Sequence, residues 1–155
     1  MIHIDKGTNI PTILSTGIGK TETDQLCADF DLAPASYQAK GVNVKPAKKH
    51  VFKSRIYTHV DVKDSLIKLQ HNKCCFSEAK FNGDYGDVEH FRPKSRLGIE
   101  GSNVKNYPGY YWLAYSWYNL LLCKQLINQS HKKDFFPLVN DGGRVFNHNE
   151  DYATE

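Results

Sequence analysis

The sequence lacks any run of apolar residues close to the roughly 20 that a helix needs to cross a bilayer. Its first residues, MIHIDKGTNI, also lack the basic and apolar blocks of a secretory signal. We therefore expect a cytoplasmic protein without a membrane partner. Cysteine is scarce too, with only four residues: Cys27, Cys74, Cys75 and Cys123. They are too few and too unevenly placed for a disulfide framework.

The sequence also has only a small excess of positive over negative charge. The formal net charge is only +3, which does not by itself predict a nucleic-acid partner. The distribution is more informative, because six basic residues and no acidic one lie between Lys40 and Arg55, and Arg92, Lys94 and Arg96 follow His90 closely. Such clusters could neutralise phosphates, or they could simply form a solvated face.

The chain divides by composition at about residue 50. Residues 1–50 are rich in glycine, proline, serine and threonine and show no sustained periodicity, so we expect an extended N-terminal arm that docks on a partner. Residues 51–155 should form one globular domain, since 40% hydrophobic content is enough for a single core.

Within residues 51–155 the apolar spacing predicts a mixed α+β fold. Ile56, Val60 and Ile67 recur at helical spacing, which predicts a helix from about Lys53 to Gln70. Strands are expected at Val88–His90 and at residues 119–122, and a short helix at Ile127–Lys133, followed by a polar tail from residue 138. The aromatic cluster between Tyr110 and Tyr118 should be core, although one exposed ring could stack on a base.

Three motifs carry the chemistry: GDVEHFRPK at 86–94, WYNLLL at 117–122 and NQSHKKDFFP at 128–137. Together they resemble the HNH nuclease superfamily. With KCC at 73–75 and GYYWLAYSWYNLLL at 109–122, they resemble more narrowly the bacterial HNH family that includes the nuclease subunit of the Septu anti-phage system, also found beside some retrons. The resemblance covers roughly Val51 to Leu138. It implies a ββα-metal nuclease core that hydrolyses phosphodiester bonds in DNA as a defence effector.

The first motif would supply the base and a metal ligand. An imidazole titrates near neutrality, so His90 would be the general base that takes a proton from water. Glu89 offers a hard carboxylate suited to Mg²⁺ or Mn²⁺. By resemblance, Asn128 is the second metal ligand, although it could also cap a helix. Asp87 shares a strand face with Glu89 and could be a ligand, but a solvated carboxylate is the favoured interpretation.

The other motifs would support this centre. By resemblance, Asn119 holds the loop that bears the histidine through its side-chain amide. Lys132 would face the scissile phosphate and neutralise transition-state charge, with His131 as a rival for metal or phosphate contact. A set of basic side chains near these residues would contact the nucleic acid: Arg92, Lys94, Arg96, His131 and Lys133.

The chain departs at a zinc site from the family that it resembles. Close relatives carry two Cys-x-x-Cys pairs that hold a structural zinc, but here only Cys74 keeps an expected position, because Ser77 stands three residues later and the second pair falls on Lys124 and Ile127. We therefore expect no structural zinc. Out-of-register binding by Cys75 and Cys123 remains the minority alternative.

The partner and substrate predictions also come from the resemblance. It implies a complex with an SMC-like ATPase, and DNA is the favoured substrate. The alternatives are RNA such as tRNA, because phosphate contacts carry no base information, and a catalytically inactive nucleic-acid-binding or assembly module.

Overall fold

The computed structural model describes residues 4–83, 86–98, 101–128, 132–138 and 143–150. Helices and strands are mixed, which confirms the α+β class. The elements in chain order are α1 (Thr12–Ser15), α2 (Ile18–Leu32), α3 (Pro34–Tyr37), β1 (Ala39–Val42), α4 (Ser54–Tyr57), α5 (Val60–Leu69), β2 (Asp87–His90), β3 (Leu97–Gly98), β4 (Val104–Tyr107), β5 (Leu120–Cys123) and α6 (Gln125–Ile127). Short 3₁₀ turns lie at Tyr111–Leu113 and Trp117–Asn119.

The chain forms two compact units. The first unit comprises residues 1–21, 53–91 and 115–133, and the second comprises residues 22–52, 92–114 and 134–155. In the part of the chain that the structure describes, no helix combines the length and the apolar character needed to cross a membrane.

The centre of the first unit is an antiparallel ribbon of β2 and β5. Asp87 pairs with Cys123 and His90 with Leu120, and every residue of β5 is buried. Helix α5 packs against β5. It begins after His59, whose side chain accepts a hydrogen bond from the Asp61 N–H.

The outer edge of β5 is satisfied by two side chains and by the Cys75 N–H, which donates to the Leu122 carbonyl at 3.1 Å. Gln70 is fully buried; its Oε1 accepts from the Leu122 N–H at 2.7 Å, and its Nε2 donates to the Leu122 carbonyl at 2.8 Å. The Lys6 ammonium donates to the Leu120 carbonyl. These bonds occupy backbone groups that an open strand edge would leave for another chain.

Gly86 sets the entry into β2. Its φ is +58°, and a Cβ at this position would lie 2.7 Å from the Phe81 ring. Both the left-handed backbone and the close ring therefore require glycine immediately before the strand.

The second unit combines helix, sheet and an aromatic core. Its sheet has the order β1-β4-β3, with both pairs antiparallel. Leu26 and Phe30, four residues apart on α2, are buried, and Phe30 stacks on Tyr111 with ring centroids 5.0 Å apart. Core placement of the aromatic cluster is confirmed, since all its rings are buried except Tyr118, which is 59% exposed.

The prediction of an extended N-terminal arm is wrong for the described residues of this segment. They form α1, α2, α3 and β1, and they bury Leu14, Leu26, Phe30 and Tyr37. The sequence did not predict α2 because few residues of this helix face inward, so its apolar residues show little helical periodicity. A docking role for residues 1–50 stays a prediction.

The elements after residue 51 follow the prediction more closely. The predicted helix at 53–70 is divided at Thr58 and His59 into α4 and α5. The strand at Val88–His90 is confirmed, and the second strand begins one residue later than predicted, at Leu120. Helix α6 begins two residues before Ile127, while residues 129–131 lie outside the described residues. The tail is not simply polar, because Val145 is buried.

Candidate active site at the end of the ribbon

His90 is the last residue of β2 and is only 4% exposed. The N–H of the next residue, Phe91, donates to the Asn119 carbonyl at 2.9 Å. The antiparallel pairing of these two segments therefore continues one step beyond the ends of β2 and β5. The Tyr57 ring meets the imidazole with ring centroids 4.7 Å apart and an interplanar angle of 82°. This edge contact restricts the orientation of the imidazole.

Glu89 and Lys132 form a nearly buried ion pair. The Lys132 Nζ lies 3.2 Å from Glu89 Oε1, and each side chain is 11% exposed. The same ammonium donates to the His90 carbonyl at 3.2 Å. Lys132 therefore connects the segment after α6 to two consecutive residues of β2, and the structure brings three predicted site residues together.

Tyr57 is a site residue that sequence reasoning missed. Burial raises its pKa, and the Glu89 charge raises it further, so the phenol is coupled to the carboxylate as well as packed on the imidazole. In the sequence it is one aromatic residue beside Ile56, within the helical pattern predicted from Lys53 to Gln70. Its one available signal was its place near the start of the predicted helix, which does not indicate contact with a strand.

Asn119 is buried at 4% exposure, in the 3₁₀ turn that leads into β5. Its carbonyl holds Phe91, so this residue supports the histidine-bearing segment through its backbone. Support through the side-chain amide stays a prediction.

Asn128 and Asp87, the two other candidate ligands, lie after α6 and at the start of β2. Asn128 follows α6, and its carbonyl accepts from the Lys133 N–H at 3.0 Å, but its side chain forms no hydrogen bond with a described residue. Asp87 is half-buried opposite Cys123. His131 lies outside the described residues.

The predicted nucleic-acid contacts fall in different parts of the chain. Lys133 is exposed in the first unit. Arg92, Lys94 and Arg96 belong to the second unit, where the Arg92 guanidinium lies 5.2 Å from the Phe136 ring centroid and Lys94 lies 5.7 Å from that of Phe52. Both cations therefore pack on aromatic rings of the second unit.

Three buried thiols meet beside the ribbon. The Sγ atoms of Cys74 and Cys123 are 3.6 Å apart, and a hydrogen bond with Cys75, followed by burial, raises the pKa of Cys123. Burial alone would raise the pKa of Cys74, but hydrogen bonds led by those of Ser77 outweigh it and lower the pKa to about 7. Among the described residues, no three or more His, Cys, Asp or Glu side chains are grouped to hold a metal ion. The absence of zinc stays a prediction.

Comparison with known proteins gives one informative result. No protein-family model matches the chain, and no solved structure matches it. The chain is similar to the Septu protein PtuB of Bacillus mycoides (strain KBAB4), with 45% identity over 95 residues that cover 61% of this chain and 32% of that protein. The match thus spans about a third of the length of the curated relative. This identity supports a Septu-like relationship.

Proposed function

We propose that this chain is a metal-dependent HNH endonuclease with a ββα-metal core that hydrolyses phosphodiester bonds in DNA. In this proposal it acts as the effector subunit of an anti-phage defence complex with an SMC-like ATPase. The observation that carries the proposal is the cluster of His90, Glu89 and Lys132 at the end of the ribbon, within a motif that resembles the HNH signature. The similarity to a Septu protein supports the defence setting.

His90 is the general base of the proposed reaction. Its imidazole takes a proton from a water molecule, which then attacks the scissile phosphorus. The P–O bond to one sugar oxygen breaks in the same step, and that leaving oxygen takes up a proton from solvent. Tyr57 positions the ring by its edge contact, and the bond between Phe91 and Asn119 fixes the backbone that carries it. A general base of this kind contributes roughly 10²- to 10⁴-fold to the rate.

The residues at the site fit a divalent cation of the Mg²⁺ or Mn²⁺ class. The Glu89 carboxylate is nearly buried beside Lys132 and supplies a hard oxygen donor of the kind that these ions prefer. Magnesium commonly takes one or two protein carboxylates and keeps several waters, so a larger acidic cluster is not required. Glu89 would hold the ion with Asn128, and the ion would supply a Lewis acid for the phosphate.

Lys132 supplies positive charge at the same place. Its ammonium is held by the Glu89 carboxylate and by the His90 carbonyl, which fixes it beside the proposed base. A cation fixed in this way stabilises charge that develops on the phosphate during cleavage without reorganising at the moment of reaction.

The ATPase partner is proposed for control and affinity. A chain with a net charge of +3 binds nucleic acid weakly at physiological salt, so a larger positively charged platform would raise the effective affinity. Residues 1–50 would contribute to docking through the exposed side chains of their helices, such as Leu32, which is 84% exposed.

The proposal is tested by cleavage assays on the full chain, alone and co-purified with the proposed SMC-like ATPase. Duplex DNA, single-stranded DNA and tRNA are incubated with Mg²⁺, Mn²⁺ or EDTA. We expect cleavage of DNA with either metal, stronger in the complex, and none in EDTA. Cleavage that persists in EDTA would refute the metal-dependent mechanism. Cleavage of tRNA but not of either DNA would show that RNA, rather than DNA, is the substrate.

A further inference from the structure

A basic cavity of about 230 Å³ lies in the second unit, whereas the residues of the proposed nuclease site belong to the first unit. Its walls come from the loop after β1, from residues 95 and 96, and from the end of β4. Three cations line it, Lys48, Lys49 and Arg96, and no carboxylate does. A cavity with this lining attracts an anion.

The cations of this cavity are available to a ligand. Lys48 and Lys49 are exposed, and neither forms an ion pair with a described residue. Arg96 is held in place, because its Nε donates to Asp134 Oδ2 at 2.5 Å and its guanidinium also bonds to Tyr107. A guanidinium has more N–H donors than these two contacts use.

Gly109 allows the Arg96 segment to take this position. Its φ is +79°, and a Cβ there would lie 2.5 Å from the Arg96 backbone nitrogen and 2.8 Å from the Pro93 carbonyl oxygen. Any larger residue would push the Arg96 segment away.

His50 lines the same cavity and carries two polar atoms without hydrogen-bond partners among the described residues. Its ring is stacked between Tyr37 and Tyr111, with both pairs of centroids 4.3 Å apart. Both ring nitrogens are buried, and neither has a hydrogen-bond partner among the described residues. Burial lowers the pKa of His50 to about 4, so at neutral pH the ring is uncharged and offers one donor and one acceptor. Buried polar atoms normally have partners, which indicates a ligand that completes them.

The surface continues beyond one binding position. A second concavity of about 320 Å³ shares Arg96 and Tyr107 with the first and adds Lys45 and Lys105 to its lining. Phe52 and Tyr107, both half-buried, add aromatic surface to the first cavity. Adjoining cationic concavities with aromatic walls suit successive units of a polyanion that carries planar groups.

We propose that these two concavities bind consecutive nucleotides of a single-stranded nucleic acid. Lys48, Lys49 and Arg96 contact its phosphates, and one base enters the first cavity and hydrogen-bonds to His50. A single strand is chosen because its bases can separate and enter a small cavity, whereas the bases of a duplex are paired and stacked. The choice of a nucleic acid as ligand rests on the proposed function.

The test is fluorescence anisotropy of the full chain with a labelled single-stranded deoxyoligonucleotide, in EDTA so that metal-dependent cleavage does not interfere. The double variant Lys48→Ser/Lys49→Ser is compared with Lys68→Ser/Lys80→Ser, which removes the same charge from exposed positions in the first unit. We expect about tenfold weaker binding for the first variant and a decrease of about 1.4 in the salt slope, since each phosphate contact in a single strand contributes about 0.7. Equal affinities and slopes for the two variants would overturn the proposal.

A second variant isolates the base contact. His50→Phe keeps a ring between Tyr37 and Tyr111 and removes both nitrogens, so we expect weaker oligonucleotide binding with an unchanged or raised melting temperature. Unchanged affinity would contradict the hydrogen bond to the base. A mononucleotide that binds as tightly as the oligonucleotide would contradict the strand assignment. Normal oligonucleotide binding with loss of ATPase co-purification would identify a protein-binding surface instead.

These outcomes are separable from those of the nuclease assay. Oligonucleotide binding that depends on Lys48, Lys49 and His50, in a chain that cleaves nothing, would support this surface and reject the nuclease. Metal-dependent cleavage, together with cavity variants that bind the oligonucleotide as tightly as their control, would support the nuclease and reject this binding surface.

Discussion

The polar groups at the ribbon of the first unit differ in burial and bonding from the lysines at the basic cavity of the second unit. In the first unit the important polar groups are buried and already bonded, as with Gln70 on β5 and Lys132 on Glu89. In the second unit Lys48 and Lys49 are exposed, without an ion partner among the described residues. A buried, bonded group cannot be removed without a cost in stability, whereas an exposed cation can be removed with little cost. Substitutions in the first unit should therefore change stability, and those at the basic cavity should change binding.

The largest stability effect is expected at the ion pair. Lys132→Met leaves the Glu89 carboxylate nearly buried without its cation, so the free energy of unfolding should fall by about 3 kcal/mol in EDTA. Mg²⁺ should restore part of this loss if Glu89 is a metal ligand. The measurement is urea denaturation with and without the metal.

The matched control for that prediction is Lys133→Met, which removes the same charge from the exposed neighbour. We expect it to lie within about 0.5 kcal/mol of the unmodified chain. Equal losses for the two variants would show that the pair with Glu89 does not stabilise the first unit.

A smaller loss is expected at the edge of β5. Gln70→Leu has a similar volume but leaves the Leu122 N–H without its acceptor, so unfolding should become easier by about 2 kcal/mol. Gln25→Leu, an exposed change on α2, is the control and should be nearly neutral. A neutral Gln70→Leu would mean that β5 does not depend on this side chain.

The effect of Lys6 should depend on pH. Burial lowers its pKa from 10.5 to about 8, so between these values the unfolded chain binds more protons than the folded chain. The free energy of unfolding should therefore rise with pH across this window, by about 2 kcal/mol. The contribution is measured as the difference between the unmodified chain and Lys6→Met at each pH. A difference that stays constant or falls from pH 8 to 10.5 would contradict the burial of a charged lysine.

The smallest effect is expected from chelation at the thiol cluster. Only Cys74 keeps an expected zinc position, so protein purified without chelators should contain less than one zinc per chain, and EDTA should leave its melting temperature unchanged. Elemental analysis and thermal melting measure this. One zinc per chain, with melting lowered by EDTA, would show that Cys75 and Cys123 act as ligands.

Local sequence patterns predicted the two strands of the ribbon. The elements that they did not predict are those that depend on contacts between segments distant in sequence. The leucines after Asn119 are dense enough in apolar residues to identify β5, and the motif GDVEHFRPK located β2. Strand β1, with the sequence AKGV, contains little apolar signal and is defined by its pairing with β4. No local pattern indicates that a strand distant in sequence is its partner.

The same distinction applies to the site. Glu89, His90 and Lys132 come from motifs, and the structure brings them together. Tyr57, Gln70 and Lys6 reach the ribbon from distant parts of the chain, and each is an ordinary residue in its own segment. Lys6 also lies with its ammonium 4.2 Å from the Trp117 ring centroid, so deleting residues 1–50 to test docking would also remove a contact of the first unit.

The central claim is tested most directly by two identical substitutions, His90→Asn and His71→Asn. Asparagine cannot act as a general base near neutral pH, and it is well tolerated at the exposed His71, where φ is +52°. The measurement is the rate of Mn²⁺-dependent DNA cleavage by each full-length variant in the ATPase complex, with melting temperatures to confirm folding. We predict a loss of at least about a hundredfold for His90→Asn and none for His71→Asn. A folded His90→Asn variant that cuts DNA at the unmodified rate would contradict the assignment of His90 as the catalytic base.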